Sequence, residues 1–250
     1  MVTTYAITVS NQCNEPRAFL LSFSPFNNST PLSNATNPIY QQSPILESGP
    51  HSQTTFSLTN EYFAVYGTMS TTQVGNVHVT SSNSMGPVTL GPNGTYAKLA
   101  TINGDGVDPA WDTTPSAGVE PKTTAAPGAF TIETDQYLKP GNPNNIYIGL
   151  GARDPTNPNR VVPVTTFAAE PQTKNIITPV PKYYVCAYYH GESATMVETS
   201  MSDGLAVDFS GAKGSNPQAS FVYNKDGKFV PADDSMTANG VKWTFGQDHN

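Results

Sequence analysis

Short runs in which apolar and polar residues alternate recur along the whole chain, and they constrain its fold more than any other feature. In the first run, Tyr5, Ile7 and Val9 alternate with small or polar residues, which is the two-residue period of a half-buried β-strand. Pro, Gly and Asn bound the runs, and none of them shows helical spacing. About fifteen short strands are expected on this basis. The pattern predicts an all-β protein, an antiparallel β-sandwich or barrel with long Pro/Gly/Asn-rich loops.

Local turn signals predict which strands pair. The strand at residues 5–9 and the one at 19–23 are expected to form an antiparallel pair across a Pro- and Asn-containing turn. Two hairpins are expected, one around Gly-Pro-Asn-Gly at 91–94 and one around Asn-Lys-Asp-Gly at 224–227. Asn and Gly accept the positive φ that tight hairpin turns require.

Two strands carry a signal for their place in a sheet. Residues 62–66, Tyr-Phe-Ala-Val-Tyr, are apolar on both faces and are predicted to lie at the centre of a sheet. The strand at 161–167 contains Pro163, which cannot donate to a neighbouring strand, and it is predicted to lie at an edge.

The chain is predicted to be a single all-β domain, residues 1–250, with an alternative in which two β halves meet at residues 103–128. That segment has no periodicity and contains one tryptophan, Trp111. Long connections of this kind are usually functional lids, linkers or disordered segments. An ordered surface excursion or lid is the preferred interpretation, because Trp111 is costly to leave in water and gives the segment an anchor.

The charge balance argues against two classes of partner. Charged residues make up 12% of the chain and the net charge is −7. Nucleic-acid binding needs clustered Lys and Arg to neutralise phosphates, so neither a nucleic acid nor an anionic membrane surface is expected as a partner. No apolar run approaches the roughly 18 residues needed to cross a bilayer.

Sequons give the only indication of localisation. Asn28, Asn34 and Asn93 each head an Asn-x-Ser/Thr sequence and are the expected positions of N-glycans. Residues 1–4 lead directly into a strand without a signal peptide. The sequons therefore fit a secreted or secretory-pathway protein whose leader was removed, and the alternative is a cytoplasmic protein whose Asn- and Thr-rich loops generate sequons by chance.

The two cysteines leave two alternatives open. Cys13 and Cys186 either form one disulfide between the first strand and the aromatic strand described next, or remain two buried thiols. Two thiols are the preferred expectation, because spacing in sequence says nothing about proximity in space.

The densest run of aromatic and reactive side chains is Lys-Tyr-Tyr-Val-Cys-Ala-Tyr-Tyr-His-Gly-Glu at residues 182–192. Read as a strand, it places Tyr184, Cys186, Tyr188 and His190 on one face. The other face carries Tyr183, Val185, Ala187 and Tyr189. Neither face is purely aliphatic, so several hydroxyl groups need partners, and the strand is a candidate wall of a pocket. The alternative is a sandwich strand with buried rings and hydroxyls at the rim.

Motifs for metal, cofactor or nucleophilic chemistry do not stand out. The four histidines fall in no ligand spacing, the Gly-Leu-Gly at 149–151 lacks the rest of a dinucleotide motif, and there is no Gly-x-Ser-x-Gly sequence. The carboxylates closest to a glycosidase pair are predicted to be structural or surface residues: Glu192, Glu198, Asp203 and Asp208. No metal and no cofactor is therefore expected, and the aromatic side chains favour binding of a flat, apolar molecule or of a sugar.

Two parts of the chain resemble a group of small filamentous-fungal β proteins. They are Thr-Tyr-Ala-Ile-Thr-Val-Ser-Asn at 4–11 followed by Phe-Leu-Leu-Ser-Phe at 19–23, and Leu-Ala-Val-Asp-Phe-Ser-Gly at 205–211 leading into Phe-Val-Tyr-Asn at 221–224. The group includes cofactor-free hetero-Diels–Alderases of natural-product pathways. The resemblance implies loss of water from a hydroxylated tropolone precursor and cycloaddition of the resulting quinone methide with a humulene-type terpene.

If that resemblance holds, catalysis comes from holding a hydrophobic small-molecule substrate in a near-attack geometry and from hydrogen bonds to the quinone-methide oxygen. Tyr188 and His190 are the expected donors or the acid for dehydration, with Arg153 or Lys182 as a charged donor. The aromatic residues expected to contact the substrate are Trp111, Tyr184, Tyr189 and Trp243.

The competing hypothesis is a carbohydrate-binding, lectin-like or defence β-sandwich protein without catalysis. It uses the same aromatic residues and the acidic, turn-rich surface. A structural or storage protein without a specific ligand is a third alternative. Of the three, the cofactor-free small-molecule enzyme is the preferred expectation.

Overall fold

The structure is a computed structural model. It describes residues 2–24, 27–28, 39–71, 77–102, 106, 108–113, 122–124, 126–139, 145–188 and 204–246. Within these residues the fold consists of strands, with one short helix, Ser235–Ala238. The all-β prediction is confirmed, and the strands form open sheets rather than a closed barrel in the part of the chain described.

The chain divides into two compact units. The first comprises Met1–Ser24, Pro38–Asn60 and Pro181–Asn250, and the second comprises Pro25–Asn37 and Glu61–Val180. The described residues of 103–128 all belong to the second unit. Within this segment, Trp111 lies in the short strand Pro109–Trp111.

The first unit contains a four-stranded and a five-stranded sheet. The four-stranded sheet has the order β17-β16-β1-β5, in which β1 runs parallel to β16 and antiparallel to β5. Its strands are β1 (Thr4–Asn11), β5 (Gln53–Thr59), β16 (Gln218–Tyr223) and β17 (Phe229–Pro231). The five-stranded sheet has the order β18-β15-β14-β2-β4 and is antiparallel throughout. Its strands are β2 (Ala18–Phe23), β4 (Ile39–Gln42), β14 (Lys182–Tyr188), β15 (Leu205–Asp208) and β18 (Lys242–Phe245).

The predicted pairings are right in one case and wrong in two. The hairpin around 224–227 is confirmed, with β16 and β17 antiparallel and Gly227 at φ 71°. The expected pair of the first two strands is wrong, because β1 and β2 lie in different sheets. At 91–94 a turn does form, with Asn93 at φ 65° and hydrogen bonds between Thr89 and Thr95 across it, but the flanking segments form no two-stranded ladder, because residues 96–101 pair with other strands.

Aromatic rings from both sheets fill the core of the first unit. Phe19 of β2 is fully buried and lies edge-on to Tyr223 and Phe229, with ring centroids 5.6 and 5.9 Å apart. Tyr183 of β14 is also fully buried and lies 5.0 Å from Phe23. Such edge-to-face contacts add to the free energy of burial, so these rings hold the two sheets together.

The second unit also contains two sheets. One has the order β3-β13-β10-β8-β9, with β8 and β10 parallel. Its strands are β3 (Asn27–Asn28), β8 (Tyr96–Thr101), β9 (Pro109–Trp111), β10 (Phe130–Thr134) and β13 (Lys174–Thr178). The other has the order β12-β11-β6-β7. Its strands are β6 (Tyr62–Thr71), β7 (Val77–Pro87), β11 (Ile146–Arg153) and β12 (Val161–Ala168).

Both predictions of strand position are confirmed in this second sheet. Residues 62–66 are all buried and lie in β6, which has a neighbour on each side, while β12 with Pro163 lies at an edge. Gly151 of β11 allows close packing here, because a Cβ at that position would lie 2.8 Å from Cγ1 of Val161. The strand β11 is thus buried on both faces along nearly its whole length.

No disulfide joins Cys13 and Cys186, as preferred from the sequence, but only Cys13 is buried and Cys186 is half-buried. The Cys13 thiol donates to the Asn11 side-chain oxygen and to the Glu15 carbonyl, each at 3.0 Å. Within the described residues, no helix has the length and apolar character needed to cross a membrane.

Truncation of one core ring tests the aromatic packing of the first unit. We expect Phe19→Ala to lower the free energy of unfolding by about 3–5 kcal/mol, because it removes a fully buried ring and leaves a cavity. Urea denaturation followed by tyrosine and tryptophan fluorescence measures the change. Val230→Ala, at a position 36% exposed, is the control and should change the free energy by less than about 1 kcal/mol.

Candidate functional site

An open groove of about 510 Å³ lies on the second unit. It is built where β10 ends and the following turn begins, beside β8 and the start of β13. The side chains that line it are polar, apart from the ring of one tyrosine. They are Lys98, Glu133, Thr134, Asp135, Gln136, Tyr137, Gln172, Thr173 and Lys174.

The register of three strands places charged residues side by side in the groove. Glu133 of β10 lies directly opposite Lys98 of β8 and directly opposite Lys174 of β13. Directly opposed residues point to the same face of a sheet, with neighbouring strands about 4.8 Å apart. Of the two neighbours of Glu133 in β10, Ile132 is buried in the core, and Thr134 is buried with its hydroxyl bonded to Glu170 and Thr173 beside the groove. The groove floor is therefore a Lys-Glu-Lys row.

Glu133 is engaged by two neighbours. Its carboxylate accepts a hydrogen bond from the Tyr96 hydroxyl and lies 3.0 Å from the Lys122 ammonium. The Tyr96 ring has the ammonium groups of Lys122 and Lys174 at 5.3 and 5.4 Å from its centroid. This cluster fixes the Glu133 carboxylate on the Tyr96 side of the row.

Asp135 shapes the turn at the mouth of the groove. One carboxylate oxygen accepts the backbone N–H groups of Tyr137 at 2.9 Å and Leu138 at 3.1 Å, and the other accepts that of Thr101 at 2.9 Å. Leu138 points inward and is 2% exposed, whereas Tyr137 points outward and is 54% exposed. The turn therefore holds an aromatic ring in solvent at the groove.

A pair of threonines fixes the opposite wall. The Thr134 hydroxyl donates to the Glu170 carbonyl at 2.5 Å and accepts the backbone N–H of Thr173 at 2.9 Å. The Gln172 backbone N–H donates to the Asp135 carbonyl at 3.0 Å, and Gln172 itself has a φ of 55°. These bonds hold Gln172 and Thr173 against the turn that carries Tyr137.

The aromatic strand predicted as a pocket wall has one core face and one half-buried face. Tyr183 and Val185 are fully buried, while Tyr184, Cys186 and Tyr188 are half-buried on the opposite face. Lys182 lies on that face too, with its ammonium 5.6 Å from the centroid of the Tyr184 ring. Lys182, Tyr184 and Tyr188 thus lie on one face of the strand, and Lys182 contacts the Tyr184 ring. Tyr189 and His190 lie outside the described residues.

The other predicted site residues have structural contacts elsewhere. Arg153, in the second unit, binds the Glu61 carboxylate at 2.8 Å and stacks 4.6 Å from the Phe63 ring. Trp111, also in the second unit, packs edge-on against Tyr66 at 5.0 Å. Burial raises the pKa of the Tyr66 hydroxyl.

Trp243 belongs to the first unit. It lies edge-on to Phe221 with ring centroids 5.9 Å apart, which places it among the core rings. It lies directly opposite Val207, which in turn lies opposite Tyr183, so it shares the core face of the sheet. It is therefore on the opposite face from Tyr184 and Tyr188.

The groove was missed by reasoning from the sequence, because its residues come from three segments between positions 98 and 174. The one usable signal is the alternation of Tyr96 and Lys98, and of Lys174 and Ile176, with buried residues between them. That pattern predicts a solvent-facing row on each strand but not that the rows are neighbours. No group of three or more metal-ligating side chains occurs among the residues described.

Comparison of this chain with protein-family models, with curated protein sequences and with solved structures finds no match. The resemblance to fungal natural-product proteins stays a prediction. The groove of the second unit and the half-buried face of β14 are the two candidate sites that the geometry offers.

Substitution of Asp135 tests how the groove is held. We expect Asp135→Ala to lower the free energy of unfolding by about 1–3 kcal/mol, because three backbone N–H groups lose their acceptor. Asp135→Asn should cost about half as much, since an amide oxygen still serves Tyr137 and Leu138 while its NH₂ faces Thr101. Urea denaturation of the three proteins measures the series, and equal stability of all three would contradict the role of this turn.

Proposed function

We propose that this protein binds carbohydrate, without transforming it, through the groove of the second unit. The observation that carries the proposal is Tyr137, which is 54% exposed at a groove of about 510 Å³ and whose backbone N–H is held by the Asp135 carboxylate. A sugar ring has an apolar face of C–H groups and a rim of hydroxyls. The groove offers a match for each of these parts.

The apolar face of a sugar fits the Tyr137 ring. An exposed aromatic ring is a large, stiff surface with few rotatable bonds, so little conformational entropy is lost when it contacts a ligand. The other walls offer donors and acceptors for hydroxyl groups. Gln136 and Gln172 supply amide groups, each with an acceptor oxygen and an NH₂ donor.

Binding without hydrolysis fits the contacts of the two carboxylates that line the groove. A glycosidase needs two carboxyl groups that face each other across the bond to be cleaved. Glu133 is engaged by Tyr96 and Lys122, and both oxygens of Asp135 accept backbone N–H groups. Because both carboxylates are engaged in these contacts, we assign them to stabilising the groove rather than to proton transfer.

Removal of the exposed ring tests the proposal. Purified protein is titrated with neutral and acidic oligosaccharides by calorimetry, and the best ligand is carried forward. We expect Tyr137→Ala to weaken its binding by at least about tenfold, because the ring is the main apolar contact surface in the groove.

The control for this prediction is Ile45→Ala, which truncates another exposed apolar side chain, 44% exposed, in the first unit. It should bind the oligosaccharide as the unchanged protein does. Equal loss in both variants, or no heat with any oligosaccharide in the panel, would contradict the proposed function.

A second candidate function rests on the half-buried face of β14. Tyr184 and Tyr188 lie there with the Lys182 ammonium close to one ring, next to the buried Leu20 and Ala206 of the adjacent strands. This apolar surface with a few donors fits the cofactor-free hetero-Diels–Alder reaction expected from the resemblance. A tropolone precursor would lose its hydroxyl as water, and the quinone methide would add to a humulene-type terpene without an oxidant or reductant.

The cycloaddition hypothesis is tested by turnover. Protein is incubated with the hydroxylated tropolone precursor and the terpene, and the adduct is measured by liquid chromatography and mass spectrometry. We expect Tyr188→Phe to lower kcat by roughly tenfold or more, because a hydrogen-bond donor to the developing oxyanion is lost. Tyr137→Phe removes a hydroxyl from the other unit and serves as the control. Undiminished turnover in Tyr188→Phe would exclude this role.

A further inference from the structure

We propose that the groove takes an acidic saccharide, one whose chain carries repeated carboxylate or sulfate groups, and that Lys174 and Lys98 recognise two of those groups. This inference rests on the proposed function, since it names the ligand class of the same groove. It is based on the Lys-Glu-Lys row on the groove floor and on the contacts that each of the three charged side chains makes.

Lys174 is the available cation of the row. Among the described residues, no carboxylate lies within ion-pair distance of its ammonium group, and its neighbour is the Tyr96 ring at 5.4 Å. A cation over the face of an aromatic ring is stabilised without losing its charge. Its three donors therefore stay available to an acid group that enters the groove.

Lys98 can bind an acid group of the ligand by exchanging its present partner. It pairs with Asp112 at 3.0 Å, and the two side chains are 44% and 25% exposed. Ion pairs in water contribute little, because hydration and side-chain entropy offset the Coulomb attraction. An acid group of a ligand can therefore share or replace Asp112 at small cost.

The two carboxylates of the groove already have donors of their own. Glu133 lies between the lysines, and its carboxylate contacts Lys122 and accepts a hydrogen bond from the Tyr96 hydroxyl. The charge of Asp135 is offset by three backbone N–H groups. Each acid is held by its own donors, and neither forms an ion pair with Lys174.

The register sets the spacing that the ligand must match. Lys98 and Lys174 are separated by two strand spacings, with Glu133 between them, which is about 10 Å at the backbone. Two lysines on separate strands present two places at which an acid group can bind. A chain with acid groups on several of its sugar units matches both places, and the exposed Tyr137 lies beside the same row to contact a sugar ring.

The experiment uses one sugar chain in two charge states. Oligogalacturonate and its fully methyl-esterified form have the same rings and differ in charge, and each is titrated into the protein by calorimetry at low and high salt. We expect the acid form to bind at least about fivefold more tightly at low salt, and the preference to shrink as salt rises.

Lysine variants test whether the preference for the acid form comes from the Lys-Glu-Lys row. Lys174→Gln should reduce the ratio of acid-form to ester-form affinity by about fivefold, and Lys98→Gln should reduce it by a smaller factor because Asp112 already offsets its charge. Lys225→Gln, an exposed lysine in the hairpin of the first unit, removes one charge outside the groove and should leave the ratio unchanged. Dextran sulfate, compared with neutral dextran, shows whether sulfate serves as well as carboxylate.

The outcomes separate the two proposals. Equal binding of the acid and ester forms, each weakened by Tyr137→Ala, would overturn the acidic-ligand inference while supporting the sugar groove. A preference for the acid form that Lys225→Gln reduces as much as Lys174→Gln would also overturn it, because net charge rather than the row would be responsible. Binding of neither form, with no binding of any other saccharide, would overturn the proposed function itself.

Discussion

The strict alternation of side chains across each strand is the constraint from which the groove follows. In β10, Phe130 and Ile132 point into the core of the second unit and are fully buried, so Glu133 has to point to the opposite face. The same alternation in β8 and β13 turns Lys98 and Lys174 to that face. A shift of one residue in either pairing would place charges in the core, which is why the burial of the apolar residues fixes the Lys-Glu-Lys row.

The sequence predicts the strands well because alternation is a local property. The β-character of the chain, the central position of residues 62–66, the edge position of Pro163 and the hairpin at 224–227 can each be read from a few neighbouring residues. Pairing between distant segments cannot be read in this way. β1 pairs in parallel with β16, more than two hundred residues later, and β2 pairs with β14 rather than with its neighbour in sequence. The sheet partner is decided by packing of the whole unit, which a window of ten residues does not contain.

The candidate sites show the same division between local and distant information. The run at 182–188 is correctly predicted as a strand, and the division of its tyrosines between two faces follows from the two-residue period. Which face is the core does not follow from that run. Tyr183 is buried because Phe23 of β2 and Phe209 lie against it, and both are far away in sequence. The groove depends on distant information entirely, since each of its three strands by itself shows only a common solvent-facing pattern.

Because charged residues are scarce in this protein, the lysines at the groove stand out from the rest of its surface. With charged residues at 12% of the chain and a net charge of −7, a surface position is seldom a lysine. Lys98 and Lys174 nevertheless both line the groove, and the ammonium groups of Lys122 and Lys174 lie over the Tyr96 ring. Two of the three have carboxylate partners close by, at 3.0 Å. The third, Lys174, contacts a ring instead, and an ammonium group over a ring keeps its full charge while its position is restrained. A restrained cation beside an exposed tyrosine suits recognition of a ligand that is both ring-shaped and negatively charged.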